Sequence, residues 1–166
     1  GYNIIFSWEE LNGLAAVNIT SARNALMDIL SNYQGFRKDT LILVFDAYKV
    51  EGNPGQVYKY HNIYVVFTKE AETADQYIEK TVHKMGRRHQ VTVATSDALE
   101  QVIILGQGAR RLSAGDLKEA VEQASREIRE ILKERRDTGK NYLLEALPEE
   151  LVSEMEDVRL GRKKLK

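Results

Sequence analysis

Three continuous runs of apolar residues recur along the chain, and each has the length of a β-strand. They cover residues 41–45, 63–67 and 91–95. A run without alternating polar positions is typical of a strand buried on both faces, as the strands of parallel sheets are. A weaker piece at 110–112 is predicted to be a short edge strand. We therefore expect a buried, mostly parallel sheet.

The segments between these strands show apolar residues at helical spacing and capping residues at their ends. We predict helices over about 18–33, 73–85 and 113–136, and a short helix that follows Asp97 and ends near residue 105. Gly35 and Gly86 stand where helix C-caps belong. Ser113 and Asp116 resemble a capping pair at the start of the last helix.

Strands that alternate with helices predict an α/β fold, here a three-layer α/β/α domain around a mostly parallel central sheet. Residues 1–136 are predicted to form this domain, and residues 137–166 a C-terminal extension. Within the domain, residues 1–6 are expected to form a turn and a short apolar piece. Residues 47–60 are expected to form a polar loop.

The chain has 166 residues, of which 43% are hydrophobic and 30% charged, with no cysteine and a formal net charge of −1. This is the composition of a folded globular domain, and the absence of cysteine excludes disulfides and thiol chemistry. No apolar run approaches the roughly 18 residues of a membrane span, so we expect a cytoplasmic protein without a membrane partner. Proteins that coat nucleic acid are usually far more basic, so contact with RNA would need a local basic patch.

Three aspartates fall where the carboxyl ends of the predicted strands meet. Asp46 follows the first apolar run, Asp97 follows the third by two residues, and Asp75 lies in the first turn of the helix after the second. Ligands of open α/β sheets bind at this edge, and Mg²⁺ and Mn²⁺ prefer oxygen ligands. We therefore predict a divalent metal site suited to phosphate-ester chemistry. Each aspartate alone could equally be a helix cap or a turn residue.

Four short motifs follow one another along the chain. They are Gly1-Tyr2-Asn3-Ile4-Ile5, Val44-Phe45-Asp46-Ala47-Tyr48, Glu70-Ala71-Glu72-Thr73-Ala74-Asp75 and Ala94-Thr95-Ser96-Asp97. Together they resemble the YacP-like branch of the NYN domain family, which belongs to the PIN-like nucleases. The resemblance implies a PIN-like α/β/α sandwich and metal-dependent endonucleolytic cleavage of RNA. Members of this branch are described as ribosome-associated, so mRNA is the implied substrate and the ribosome the implied partner.

The resemblance also assigns roles to residues of this chain. It implies that Asp46, Asp75 and Asp97 bind Mg²⁺ or Mn²⁺, that Asn3 orients the site, and that Glu72 is a peripheral carboxylate. The family pattern begins with an apolar strand that ends in an aspartate directly before Gly-Tyr-Asn. We therefore expect such a strand and aspartate before Gly1 in the natural protein.

Basic and aromatic side chains outside the carboxylate set are candidates for binding RNA. We predict substrate contacts from Arg23, Lys49, Lys59, Tyr58 and Ser96. Tyrosines with basic neighbours suit stacking on unpaired bases. They can equally pack a loop onto the domain, and a serine beside a strand end can simply cap the next helix.

Two other functions stay open on the residues alone. The same fold could bind RNA or the ribosome without cleaving anything, which the modest net charge allows. Aspartates at strand ends also occur in Mg²⁺-dependent phosphatases and phosphoryl-accepting domains, although no nucleophile motif is evident here. The sequence gives no indication of an oligomeric state beyond compatibility with a monomer.

Overall fold

The computed structural model describes residues 1–46, 55–86 and 88–145, with side chains described up to residue 135. The described helices are α1 (Tyr2–Ser7), α2 (Glu9–Val17), α3 (Ile19–Arg37), α4 (Ala74–Met85), α5 (Ala98–Gly106) and α6 (Ala114–Glu145). The described strands are β1 (Ile42–Phe45), β2 (Gln56–Tyr60), β3 (Ile63–Phe67), β4 (Thr92–Ala94) and β5 (Arg110–Leu112). None of the described helices is both long and apolar enough to cross a membrane.

The described strands form two sheets. In the larger one, β3 lies between β1 and β2, parallel to β1 and antiparallel to β2. The smaller sheet is the parallel pair of β4 and β5. The three apolar runs and the short edge piece are thus confirmed as strands. The single, mostly parallel sheet is not confirmed, because the larger sheet is mixed, and the three-layer arrangement stays a prediction.

The prediction of a polar loop over residues 47–60 is wrong for its last part, where β2 runs from Gln56 to Tyr60. Its residues are exposed or half-buried throughout, and among the described strands β2 pairs only with β3. Such a strand lacks the continuous apolar run that identifies a central strand. Residues 47–54, including the predicted loop tip, lie outside the described residues.

A two-residue turn explains why β2 returns antiparallel to β3. Tyr60 pairs with Ile63, and between them His61 adopts a left-handed conformation with φ 50°, as tight hairpin turns require. Asn62 fastens the turn to α3. Its side-chain oxygen accepts a hydrogen bond of 2.6 Å from the Ser31 hydroxyl, and its amide donates one of 2.9 Å to the Ser31 carbonyl.

The first residues form helices, so the prediction of a turn and a short apolar piece over residues 1–6 is wrong. Ile5, Trp8 and Leu11 repeat at near-helical spacing and are all buried, which gives α1 and α2 a common inner face. The Trp8 indole Nε1 donates a buried hydrogen bond of 2.8 Å to the Ala114 carbonyl, 106 residues away in sequence. This bond holds the N-terminal helices to the start of α6.

Helix α3 passes through Gly35 and ends at Arg37, so the predicted C-cap at Gly35 is wrong. The left-handed residue that ends the helix is Lys38, with φ 61°. Its N–H donates to the Gln34 carbonyl at 2.7 Å. The left-handed conformation is less favourable for a residue with a side chain than for glycine. The sequence pattern therefore indicated the nearby Gly35 as the C-cap.

The caps predicted for α4 and α6 are confirmed. Thr73 accepts a hydrogen bond from the Gln76 N–H while the Gln76 side chain accepts one from the Thr73 N–H, which is a reciprocal capping box. Gly86 follows the last residue of α4. Ser113 and Asp116 exchange the equivalent bonds before α6. Both helices therefore begin where the sequence places them.

Helix α6 continues to Glu145, beyond the predicted end near residue 136. The chain divides into two compact units, Gly1–Ser125 and Arg126–Lys166. The second unit contains the continuation of α6. Because α6 continues through residue 136, its course does not show where the domain ends. The boundary between residues 136 and 137 therefore stays a prediction.

The main core lies between the larger sheet and the first three helices. Its most buried side chains come from both, namely Phe45, Ile63, Val65, Ile5 and Leu26. The Phe45 ring stacks on Phe67 with centroids 5.3 Å apart, so the last residues of the two parallel strands are packed together. This packing fixes the edge of the sheet at which Asp46 follows directly.

Candidate active site

The three predicted aspartates lie at the carboxyl ends of the strands. Asp46 directly follows β1, Asp75 is the second residue of α4, and Asp97 is the N-cap of α5. The pKa of Asp75 is raised, first by burial and then by the negative charges of Asp46 and Asp97. Its side chain still reaches solvent, so repulsion by its neighbours matters beside burial. The structure thus brings the three carboxylates into one electrostatic neighbourhood.

Two of these aspartates also cap helices. Asp46 Oδ1 accepts a hydrogen bond of 2.7 Å from the Ala74 N–H, which fastens the start of α4 to the end of β1. Asp97 Oδ1 accepts bonds of 2.8 Å and 3.3 Å from the N–H groups of Leu99 and Glu100. Each bond uses Oδ1, and in a carboxylate the second oxygen can still bind a cation. The capping role and the site role are therefore compatible.

One buried hydroxyl connects the segments that carry the site. Thr95, which is 2% exposed, accepts hydrogen bonds at Oγ1 from Asn3 Nδ2 at 3.2 Å and from the Asp97 N–H at 3.1 Å. The Thr95 side chain also lies close to Glu100, whose pKa it lowers. Because a hydroxyl has two acceptor positions, Asn3 and the Asp97 N–H use both. Thr95 therefore holds Asn3 and the start of α5 together.

Glu100 is a residue of this site that the sequence reading missed. It is 6% exposed, and its Oε1 has no hydrogen-bond partner among the described residues. Burial raises the pKa of Glu100; the hydrogen bond from Thr95 opposes this, and the charges of Asp75 and Asp97 add to the increase. A fourth carboxyl group thus lies beside the aspartates, on their inner side.

The sequence does contain one signal for Glu100. Glu100 and Ile104 are four residues apart and are the buried residues of α5, which puts them on one face of the helix. The apolar residues Leu99, Val102 and Ile103 are instead exposed. If the most apolar face of α5 is predicted to be buried, Glu100 is wrongly predicted to be exposed.

The first residues lie between the carboxyl ends of the two sheets. The Gly1 nitrogen donates to the Val44 carbonyl in β1, and Asn3 bonds to Thr95 after β4. The Ser96 hydroxyl also donates to the Asn3 carbonyl, at 3.3 Å. Asn3 thus lies beside Thr95 and Ser96, directly before Asp97, and its role in orienting the site stays a prediction.

Comparison with known proteins gives the family. Residues 1–160 match the family model of the YacP-like NYN domain. The chain belongs to the YacP-like NYN domain family. It is 39% identical to the protein YacP of Bacillus subtilis (strain 168) over 97% of this chain and 94% of that protein. The resemblance seen in the four motifs is therefore confirmed.

Two solved structures of the same family are similar to this chain. The crystal structure of Rae1 (YacP) from Bacillus subtilis is 38% identical, with a TM-score of 0.70 over 96% of this chain and 91% of that one. A tryptophan-to-leucine variant of Rae1 is 38% identical, with a TM-score of 0.71 over 87% of this chain and 84% of that one. The NYN family belongs to the PIN-like nucleases, so the chain is of a nuclease type, and such nucleases generally use divalent metals.

The donor chemistry of the NYN site fits a hard divalent cation. Carboxylate oxygens are the ligands that Mg²⁺ and Mn²⁺ prefer, and burial together with the neighbouring carboxylates raises the pKa values of Asp75 and Glu100. Among the described residues, however, no three His, Cys, Asp or Glu side chains form a ready-made metal site. The site therefore offers oxygen ligands without a completed coordination shell.

The predicted RNA-binding residues are not all at this edge. Arg23 lies over the ring of Phe67, with its guanidinium carbon 5.6 Å from the ring centroid, and Phe67 ends β3 beside β1. Lys59 pairs with Tyr64 instead, three residues or about 10 Å back from that edge. The exposed Ser96 lies at the site through its bond to Asn3. Ser96 thus lies beside Asn3 and Asp97, and Arg23 lies over the last residue of β3, whereas Lys59 lies farther back along the sheet.

Tyr58 packs into the domain. Its hydroxyl lies 3.6 Å from the sulfur of Met27, and its ring stacks on Phe67 at 6.3 Å. These contacts agree with the alternative that tyrosines fasten this segment to the domain. Lys49 lies outside the described residues. RNA contacts by the predicted residues stay predictions.

Proposed function

We propose that this chain is a Mg²⁺- or Mn²⁺-dependent endoribonuclease that cleaves mRNA. One observation carries most of the proposal: Asp46 and Asp97 follow β1 and β4 at their carboxyl ends, and Asp75 in the first turn of α4 lies in the field of both. Carboxylates held in this way lose their mutual repulsion when a divalent cation binds between them. Membership of a nuclease-type family supports the same chemistry.

Asp46, Asp75 and Asp97 would hold the cation. When bound, the ion supplies charge stabilisation to a phosphodiester group and a lowered pKa to a water molecule. Asn3, fixed by Thr95, presents its amide beside the aspartates and keeps the first residues in place. The proposal includes the aspartate that the family pattern puts directly before Gly1.

The substrate and setting of the proposed activity follow from the family resemblance. We propose mRNA as substrate, the ribosome as partner and the cytoplasm as location. With a net charge of −1, the chain would hold RNA through local groups such as Arg23 and Ser96 and not through a general positive field. The PIN-like three-layer arrangement belongs to the same proposal.

The test is RNA cleavage by the full chain with Mg²⁺ or Mn²⁺, with EDTA, and after replacement of single aspartates. Asp75→Asn and Asp97→Asn should each lower the cleavage rate by at least a hundredfold, since each removes a charge that holds the ion. Asp39→Asn is the matched control. Asp39 is exposed and pairs with Arg37 ahead of β1, away from the carboxyl edge, so this variant should cut normally. Undiminished cleavage by both site variants would refute the site.

A second function is a YacP-like module that binds RNA or the ribosome without cutting. It is favoured by the capping bonds of Asp46 and Asp97 and by the lack of a ready-made metal site among the described side chains. In that case RNA would bind equally well with EDTA, and no cleavage would appear with either metal. Cleavage that requires metal and is lost in Asp75→Asn would exclude this alternative.

A further inference from the structure

The outward face of helix α5 is apolar. Leu99 is 71% exposed and Val102 66%, and Ile103 and Leu105 are exposed as well. Leu99, Val102 and Ile103 are three or four residues apart, so their side chains lie next to one another on the helix. Single exposed apolar side chains are ordinary on a protein surface, but a contiguous group of them marks a surface that binds something.

This apolar face is continuous with the carboxylates of the candidate site. Leu99 and Ile103 line one small cavity, with a volume of about 70 Å³, together with Asp75 and Asp97. Both aspartates are exposed, and Leu99 follows Asp97 by two residues at the start of α5. A molecule that reacts at the aspartates would therefore touch Leu99 and Ile103 with the part that adjoins the reacting bond.

The lack of charge on this face decides which part of an RNA chain it can hold. Phosphates are bound chiefly by arginine and lysine, and α5 contains neither. Its charged residue, Glu100, is buried. A base, in contrast, has an uncharged flat face that packs on apolar side chains, and this face is accessible only where the RNA is unpaired. The surface therefore fits an unpaired base and not the RNA backbone.

A protein partner or a second copy of the chain fits this face less well. A standard protein interface involves roughly 20–30 residues on each side, whereas this face consists of four large side chains of a nine-residue helix. A wider interface would also cover Asp75 and Asp97, and burying charged groups without partners is costly. A base is about as large as an aromatic side chain and covers Leu99 and Ile103 while leaving the aspartates in water.

We propose that Leu99 and Ile103 bind the unpaired base next to the phosphate that is cleaved. This inference rests on the proposed nuclease function and adds a substrate-binding surface to it. The base packs on the two side chains, and the adjoining phosphate is thereby brought to Asp75 and Asp97. Because base pairing and stacking remove this contact, the surface makes the enzyme act on unpaired RNA.

The test compares KM and kcat for the cleavage of a short unpaired RNA by the full chain with Mg²⁺ or Mn²⁺. Leu99→Asn should raise KM by about tenfold with little change in kcat, because it removes an apolar contact and no reacting group. Leu99→Met keeps the contact and should behave like the wild type. Val17→Asn is the matched control, since Val17 is an exposed apolar residue of α2, and its KM should stay within twofold.

A series of RNAs that each lack one base locates the contact on the substrate. Loss of the base beside the cleaved bond should raise the KM of the wild type by about tenfold. The same loss should change the KM of Leu99→Asn by less than threefold, because the contact is already absent in that variant. Equal effects of the missing base on both proteins would contradict the inference.

A second measurement needs no variant. In wild-type protein with ¹³C-labelled methyl groups, an excess of unpaired RNA should shift the Leu99 and Ile103 resonances upfield, through the ring current of the base, and leave those of Val17 unmoved. EDTA keeps the RNA intact by stopping the proposed metal-dependent cleavage.

The possible failures are distinguishable. If the wild type cleaves RNA but Leu99→Asn has an unchanged KM, or if RNA does not move the two methyl resonances, the inference is wrong and the proposed function stands. Normal cleavage of free RNA by Leu99→Asn with loss of ribosome binding would assign the face to a protein partner and also overturn the inference. If the wild type neither cleaves nor binds RNA, the proposed function fails as well.

Discussion

Replacing Thr95 with valine tests whether one hydroxyl holds the site together. Valine has nearly the same shape as threonine but cannot form hydrogen bonds, so Thr95→Val removes the two bonds that Oγ1 accepts and leaves packing almost unchanged. These bonds come from Asn3 Nδ2 and the Asp97 N–H. Because Thr95 is 2% exposed, no water molecule can take the place of the lost hydroxyl.

The size of the effect follows from the number of bonds. A typical intramolecular hydrogen bond contributes about 0.5–1.5 kcal/mol net, and more where a buried partner is left without one. Two lost bonds therefore lower the free energy of unfolding by about 2 kcal/mol. For a chain of this size, 1 kcal/mol corresponds to roughly 2–4 °C in the melting temperature, so Tm should fall by roughly 4–8 °C.

The assay is thermal and urea unfolding of the wild type and three variants, without added metal. Thr95→Ser keeps the hydroxyl and loses only a methyl group, so it should cost about 1 kcal/mol. Thr92→Val changes an exposed residue of the same region, in β4, and should stay within about 0.5 kcal/mol of the wild type. If Thr95→Val is as stable as the wild type, or if Thr95→Ser is equally damaged, the hydroxyl is not what holds this edge.

Two further predictions concern Glu100 and Trp8. Burial raises the pKa of Glu100 above its ordinary value of 4.5, so its contribution to stability is fully present below about pH 4.5 and is lost as the pH rises through the folded-state value. In urea unfolding without metal, the free energy of unfolding of the wild type should therefore fall relative to that of Glu100→Gln as the pH is raised from about 4 to about 7. If the free energies of the two proteins change in parallel with pH, the prediction is wrong. Trp8→Phe removes the bond to the Ala114 carbonyl and should lower the free energy of unfolding by about 1–3 kcal/mol, which a fall in Tm would show. Phe6→Leu, at a partly exposed site, is the control. If Trp8→Phe lowers Tm no more than Phe6→Leu does, the bond does not stabilise the fold.

The strands could be predicted where burial alone decides the residue pattern. The runs that became β1, β3 and β4 are apolar because both faces of each strand are covered, and this is visible in a few consecutive residues. Strand β2 was missed because its direction depends on the turn at His61 and Asn62 and on the contact of Asn62 with Ser31. Such a contact, 31 residues apart, leaves no periodic signal in the sequence.

The candidate site was predictable to a similar degree. Asp46, Asp75 and Asp97 could be found because each follows or precedes an element whose end is visible in the sequence. Glu100 could not, because its inward orientation is set by how α5 packs on the rest of the domain, with Glu100 6% and Leu99 71% exposed. The exposed apolar residues of α5 made the outward orientation look better. Local patterns thus find the residues at strand ends but not the ones that distant contacts turn inward.

The position of the first three residues has a consequence for how the protein acquires activity during folding. The Asn3–Thr95 bond closes a separation of 92 residues, and the Trp8–Ala114 bond closes one of 106. Closing separations of this size has a large entropic cost, so these contacts form late. A chain with both sheets formed but its start undocked would have three aspartates without Asn3 beside them. Under the proposed function, a chain assembled in this order would stay inactive until folding is complete, which would protect nearby RNA while the chain is being synthesised.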